Sequence, residues 1–268
     1  MAYSSTTNTL NQENIYSLLQ NIKKVRVSDG EEISILNGTT SAHYILVLIL
    51  PQLGDFDSLE YAWWLNRDKN ILVKNNIALR AIAIGNVKSG QKYCQYTGFN
   101  PENLFIDKTA QIHEKLNLYQ GLNWQFPSFS RSQNQWLNLL LMCAGIGSKG
   151  TLKEVFRGYL GDKKAPSLLT DDEIIQLKPL PAIKGSFFNK AGKNYQRPFE
   201  LATLRLKNMI EVLTNWRIYV PNDNYLTQRG ATFLFNNQGK LIYQHRDEGI
   251  LGFAENKSNP LAFLPDDN

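Results

Sequence analysis

Apolar positions recur along this chain in two rhythms, one helical and one extended, and the order of those rhythms predicts its elements. Ile15, Leu18, Leu19 and Ile22 are spaced as one helical face, which predicts a short amphipathic helix over residues 11 to 22 with Asn11 or Asn14 as its cap. Residues 25 to 27 and 33 to 36 flank Asp29-Gly30, a dipeptide suited to a hairpin turn because glycine tolerates positive φ. Residues 44 to 50 form an unbroken apolar run ended by Pro51, the pattern of a central strand covered on both faces. Asp57-Ser58-Leu59-Glu60 then reads as a capping box opening a helix over about 58 to 73. A second apolar run, 77 to 84, closes a βαβ unit.

The alternation continues with a helix near 89 to 98, a strand at 104 to 106 and a helix over 109 to 119. Strands at 231 to 235 and 241 to 244, separated by Asn236-Asn237-Gln238-Gly239, predict a closing hairpin. Between 122 and 226, helices are expected at 135 to 144, 151 to 160 and 199 to 215, punctuated by Pro166, Pro179, Pro181 and Pro198. The sum is an α/β chain: one domain over 1 to 268, with 162 to 226 as an insertion before the terminal hairpin.

Composition narrows this further. With 43% apolar residues the chain can bury a full core. Its longest apolar runs are too short for a bilayer core of about 30 Å. Residues 1 to 14 are polar and carry no apolar signal segment, so the expected location is the cytoplasm. Two cysteines give no disulfide framework and no metal-ligand spacing. Cys143, inside Leu139-Leu140-Leu141-Met142-Cys143-Ala144, is expected to be a buried, inert thiol. Cys94 has polar neighbours and is the candidate reactive one.

The net charge of +5 has a local source. Residues 184 to 217 hold Lys184, Lys190, Lys193, Arg197, Arg205, Lys207 and Arg217 against Glu200 and Glu211, an excess equal to that of the whole chain. Phe187, Phe188, Tyr195 and Phe199 interleave with them. The segment reads either as a solvated face or as a site for an acidic protein surface, with Lys184, Lys190, Lys193 and Arg197 as contact candidates. A pI of about 9.0 sits at the margin for nucleic-acid binding, which is the weaker expectation. Trp63 and Trp64 differ by about 100° around their helix, so both cannot face one core, and they join the partner-binding candidates.

The run Leu50-Pro51-Gln52-Leu53-Gly54-Asp55-Phe56-Asp57-Ser58-Leu59-Glu60 resembles the active-site turn of the peroxiredoxin-like (AhpC/TSA-related) branch of the thioredoxin superfamily. That turn commonly carries Gly-Cys-x-x-Cys before a Glu-containing helix. Residues 104 to 119 resemble the family's next strand and helix. Gln228-Arg229-Gly230-Ala231 and the strands after it resemble its closing hairpin, with Gly230 where such sites often have a cis-proline. The resemblance implies a thioredoxin-like mixed sheet flanked by helices, and a degenerate redox site at Gly54, Asp55, Ser58, Glu60 and Arg229.

On that alignment Asp55 and Ser58 occupy the cysteine positions, and neither can replace a thiolate. A serine needs a base: His43 lies at the other end of the strand, about 26 Å away, which leaves His113 and His245 as the open alternatives. Asp55, Asp57 and Ser58 are then helix-capping groups, or Asp55 is a fixed anion in a pocket that recognises without reacting. The implied function is a non-catalytic binding or scaffolding protein without a cofactor, which the turn's likeness to sequences from photosynthetic organisms places on a photosynthetic complex. The alternative is a one-cysteine thiol enzyme using Cys94.

Overall fold

The computed structural model describes residues 12 to 177, 179 and 181 to 265. Helix α1 (Gln12–Asn21) leads into a hairpin of β1 (Lys23–Arg26) and β2 (Glu32–Ser34), then β3 (Tyr44–Gln52), α2 (Phe56–Arg67), α3 (Lys69–Lys74) and β4 (Ile77–Ile84). Next come α4 (Val87–Thr97), β5 (Leu104–Asp107), α5 (Gln111–Lys115), α6 (Arg131–Cys143) and α7 (Thr151–Leu160). A small ribbon of β6 (Ile174–Ile175) and β7 (Ile183–Lys184) precedes α8 (Glu200–Thr214) and α9 (Trp216–Tyr219). The hairpin of β8 (Ala231–Asn236) and β9 (Leu241–Arg246) closes the chain's sheet.

Among the described residues, seven strands form one mixed sheet in the order β2-β1-β5-β4-β3-β8-β9. The β3–β4 and β4–β5 pairs are parallel, and β8 runs antiparallel to β3. Period-two alternation divides β3 between two cores: Leu46, Leu48 and Leu50 join α2 and α4 on one face, while Ile45, Val47 and Ile49 join α1 and α5 on the other. The unbroken apolar run thus reflects burial on both faces, as expected for a strand flanked by β4 and β8.

Three of the departures from the expected boundaries have a local reason. The helix expected over 58 to 73 is two helices, broken at Asp68, whose N–H still donates to Trp64 O. The helix expected over 109 to 119 is only α5, and Asn117 beyond it has φ +51°. Helix α2 starts two residues early because Asp55, not Asp57, is its cap. The expected Asn11 cap of α1 lies outside the described residues. Among the described residues no helix is long and apolar enough to cross a membrane.

Candidate functional site at the end of the central strand

Strand β3 delivers the chain to the turn at 53 to 55, beside the start of β8, where Ile49 pairs with Ala231. Gly230 lies so close to this strand that a Cβ there would sit 2.2 Å from Ile49 O. At this approach the residue preceding β8 has no room for a side chain, and glycine fills the position.

Asp55 has extended backbone (φ −74°, ψ 136°), and its Oδ1 accepts the Asp57 N–H at 2.9 Å, capping α2. Its other oxygen accepts from Arg229 Nη2. Arg229 is fully buried, its Nε donates to Thr227 O at 3.1 Å, and its backbone N–H donates to Tyr119 O at 2.9 Å. Its Nη1 lies 3.5 Å from Asp57 Oδ2 without a hydrogen bond.

Asp57 does not cap the helix. Its Oδ1 accepts the Leu251 N–H at 2.6 Å and its Oδ2 the Gly252 N–H at 3.0 Å, tying the C-terminal segment to the site. Asp247, also buried, accepts the Gly230 N–H at 3.1 Å and lies 3.7 Å from His245 Nε2. Burial pushes the Asp57 carboxyl well above the usual range, and the Asp55 charge pushes the same way against Arg229. Burial likewise raises Asp247. Lys257 is lowered by burial, against the pull of Asp57 and Asp247. Burial also opposes the Arg229 charge, but Asp55 and Asp57 outweigh it and hold the guanidinium above its ordinary value. The centre is a packed group of opposite charges tied down by backbone amides.

The other expected site residues point elsewhere. Ser58 is fully buried, and its Oγ donates to Gln52 O at 3.2 Å rather than to a base. His113, also buried, places Nε2 2.9 Å from Leu50 O. A carbonyl can only accept, so Nε2 carries the proton. Burial lowers the His113 pKa to about 4. Glu60 does not reach back to its own helix; it holds Arg205, with Nε–Oε2 at 2.7 Å and Nη2–Oε1 at 3.0 Å. The capping box is thus corrected at both ends, because partners far along the chain claim both side chains.

The two thiols exchange environments relative to expectation. Cys94 is 9% exposed, packed in the larger apolar cluster, and burial pushes its thiol up to about 12. That is opposite to what a reactive thiol needs. Cys143, expected to be buried, is exposed at the end of α6, because the apolar run around it faces outward as well as inward. It lines a slot of about 60 Å³ with Asp55, Gln52 and Trp216. The residue is exposed as a whole, but its thiol is desolvated against this slot, and with the Asp55 charge beside it this pushes the thiol up to about 11.

Of the partner-binding candidates, Trp64 is 2% exposed and packs edge-on against half-buried Trp63 at 5.0 Å, with Arg67 over both rings at 5.5 Å. Arg197 is as buried as Trp64, is paired with Glu200, and donates to Leu169 O. Neither presents a surface. Lys184, Lys190 and Lys193 are exposed, with Lys184 3.4 Å from Asp172 and Lys190 over the Phe187 ring at 5.2 Å. Since Arg205 is also internal, the basic run does not form one face. Sequence reasoning missed Asp247, Lys257 and Gln52. Asp247 carried one local signal, its place directly after the closing strand.

The sheet order, the helices on both faces and the site where β3 meets β8 define a thioredoxin-like fold. A family model described as AhpC/TSA antioxidant enzyme matches residues 64 to 249, and the chain belongs to this family, one with redox-related roles on a thioredoxin fold. The matched span begins inside α2, so the assignment of Asp55 and Ser58 to cysteine positions rests on the turn's own sequence. No curated protein and no solved structure gives a significant match.

Proposed function

We propose that this chain is a binding member of the AhpC/TSA family whose site, at the turn after β3, performs no thiol chemistry. The observation that carries the proposal is the Asp55–Arg229 ion pair at the N-terminus of α2. A peroxidatic thiolate would be expected there, stabilised by the helix end and a nearby cation. In this chain the cation already has an anion, fixed and not oxidisable.

Three further observations support it. The Cys94 thiol is buried and pushed up to about 12. The Cys143 thiol is pushed up to about 11 beside a carboxylate. Ser58 donates to a carbonyl. A partner with an acidic surface would meet Lys184, Lys190 and Lys193, the exposed members of the basic run. The photosynthetic assembly suggested by the turn's sequence is not part of the proposal, because no side chain of the site argues for it.

A second reading has one observation in its favour: Cys143 is exposed at the slot beside Asp55, so a one-cysteine enzyme would use it rather than Cys94. The test is NADPH consumption with thioredoxin, its reductase and hydrogen peroxide, using wild type, Cys94→Ala and Cys143→Ala. The proposal expects background rates in all three. Turnover by wild type that disappears in one variant would overturn it and identify the thiol.

A further inference from the structure

Helix α7 is amphipathic in the opposite sense to an ordinary surface helix. Its buried positions are Thr151, Glu154 and Gly158, while half-buried Arg157 also turns inward. Glu154 accepts from Arg157 (Nη2–Oε1 2.7 Å) and Arg205 (2.6 Å), and Arg157 Nη1 reaches Gln196 Oε1 at 2.6 Å. The opposite face carries Leu152 (47% exposed), Phe156 (59%), Tyr159 (48%) and Leu160 (74%), at helical spacing and open to solvent. The Tyr159 ring meets Phe199 (58% exposed) at 5.8 Å, which extends the apolar strip onto the start of α8.

Lysines border this strip. Lys149, Lys153 and Lys164 share one broad cavity wall with Phe156 and Leu160, and Lys190 shares a smaller one with Phe199. The acids on the same side are largely matched: Glu154 and Asp162 by Arg157, and Glu248 by Lys149 at 2.6 Å. That leaves exposed Glu255 against exposed Lys153 and Lys164 on the same wall.

We propose that the outer face of α7, with Phe199, docks on an anionic lipid surface. The aromatic and leucine side chains enter the boundary between headgroups and acyl chains, while the lysines meet the headgroups. Charge decides among the occupants. A second copy related by a two-fold axis would bring this lysine border against itself. A bilayer supplies negative charge without needing a shaped partner for a protruding helix.

The experiment is flotation of the full chain with vesicles of phosphatidylcholine, alone or mixed with phosphatidylglycerol, at low and high salt. The same runs are made with the double variant Phe156→Ser and Leu160→Ser and with Lys153→Glu and Lys164→Glu. The side chains changed are exposed, so thermal unfolding of both variants should match wild type and serve as the folding control. The expected result is flotation of wild type with the mixed vesicles, weakened by salt, and reduced about tenfold or more in each variant. Absence of flotation, or equal flotation of wild type and the serine variant, overturns the proposal. A wild-type dimer that the serine variant dissolves, measured by sedimentation without vesicles, also overturns it and assigns the face to a second copy.

Discussion

At the turn after β3, Asp55, Asp57 and Asp247 gather around one buried arginine, whereas along α7 the charged Glu154 and Arg157 face inward and Phe156 and Leu160 face solvent. Both regions bury ionic groups. In the first, every carboxylate also accepts a backbone N–H, so the charges are fixed by chain segments from α2, the start of β8 and the segment after β9. In the second, the charges hold two helices and Glu60 together and leave the apolar face outward. The turn after β3 is tied shut from within, whereas the apolar face of α7 lies open to solvent.

The largest effect is expected from Arg229→Ala. It leaves Asp55 and Asp57 facing each other without their cation, and removal of one partner of a buried pair costs about 3–5 kcal/mol. Denaturant titration should show that loss, and a loss below about 1 kcal/mol would mean the centre is not fixed by charge. Arg205→Ala tests the other region, where Glu60 and Glu154 lose their shared donor. The expected loss is about 3 kcal/mol by the same measurement.

The third test uses pH. Burial holds the folded His113 pKa at about 4, below an ordinary value of 6.5. Its contribution is therefore whole above pH 6.5 and declines as the pH falls toward 4, because the unfolded chain takes up the proton first. His113→Leu should remove this slope, so the stability gap between wild type and variant should change by roughly 3 kcal/mol across that window. Parallel pH profiles would show that His113 is not held neutral. The smallest effect is expected at Phe156→Ser, which should move stability by no more than about 0.5 kcal/mol because the ring packs on nothing essential to the fold. A large loss there would mean that α7 is not inverted.

Much of the fold was legible because periodicity reports burial directly. Strand β4 spans the predicted residues, β3 runs two residues past its predicted end, and the closing hairpin and α7 fall where their patterns place them. The site was legible as a place but not as an arrangement. Asp57 and Glu60 sit at capping-box spacing, yet Leu251, Gly252 and Arg205 claim them from far along the chain. Local spacing carries no trace of such partners. Cys94 and Cys143 were misjudged for a related reason, since polar neighbours in sequence say little about which face of a helix is covered. The sequence of α7 shows its amphipathicity plainly, but only the ion pairs of Glu154 and Arg157 reveal which side faces in.

The most direct test of the central claim is the intact mass of the reduced protein after brief exposure to a stoichiometric amount of hydrogen peroxide, followed by mapping of both thiols. Cys94 and Cys143 should remain reduced on the timescale over which a peroxiredoxin would be fully oxidised. Rapid conversion of either to a sulfenic acid or a mixed disulfide would contradict that claim and return the chain to the enzymes of its family.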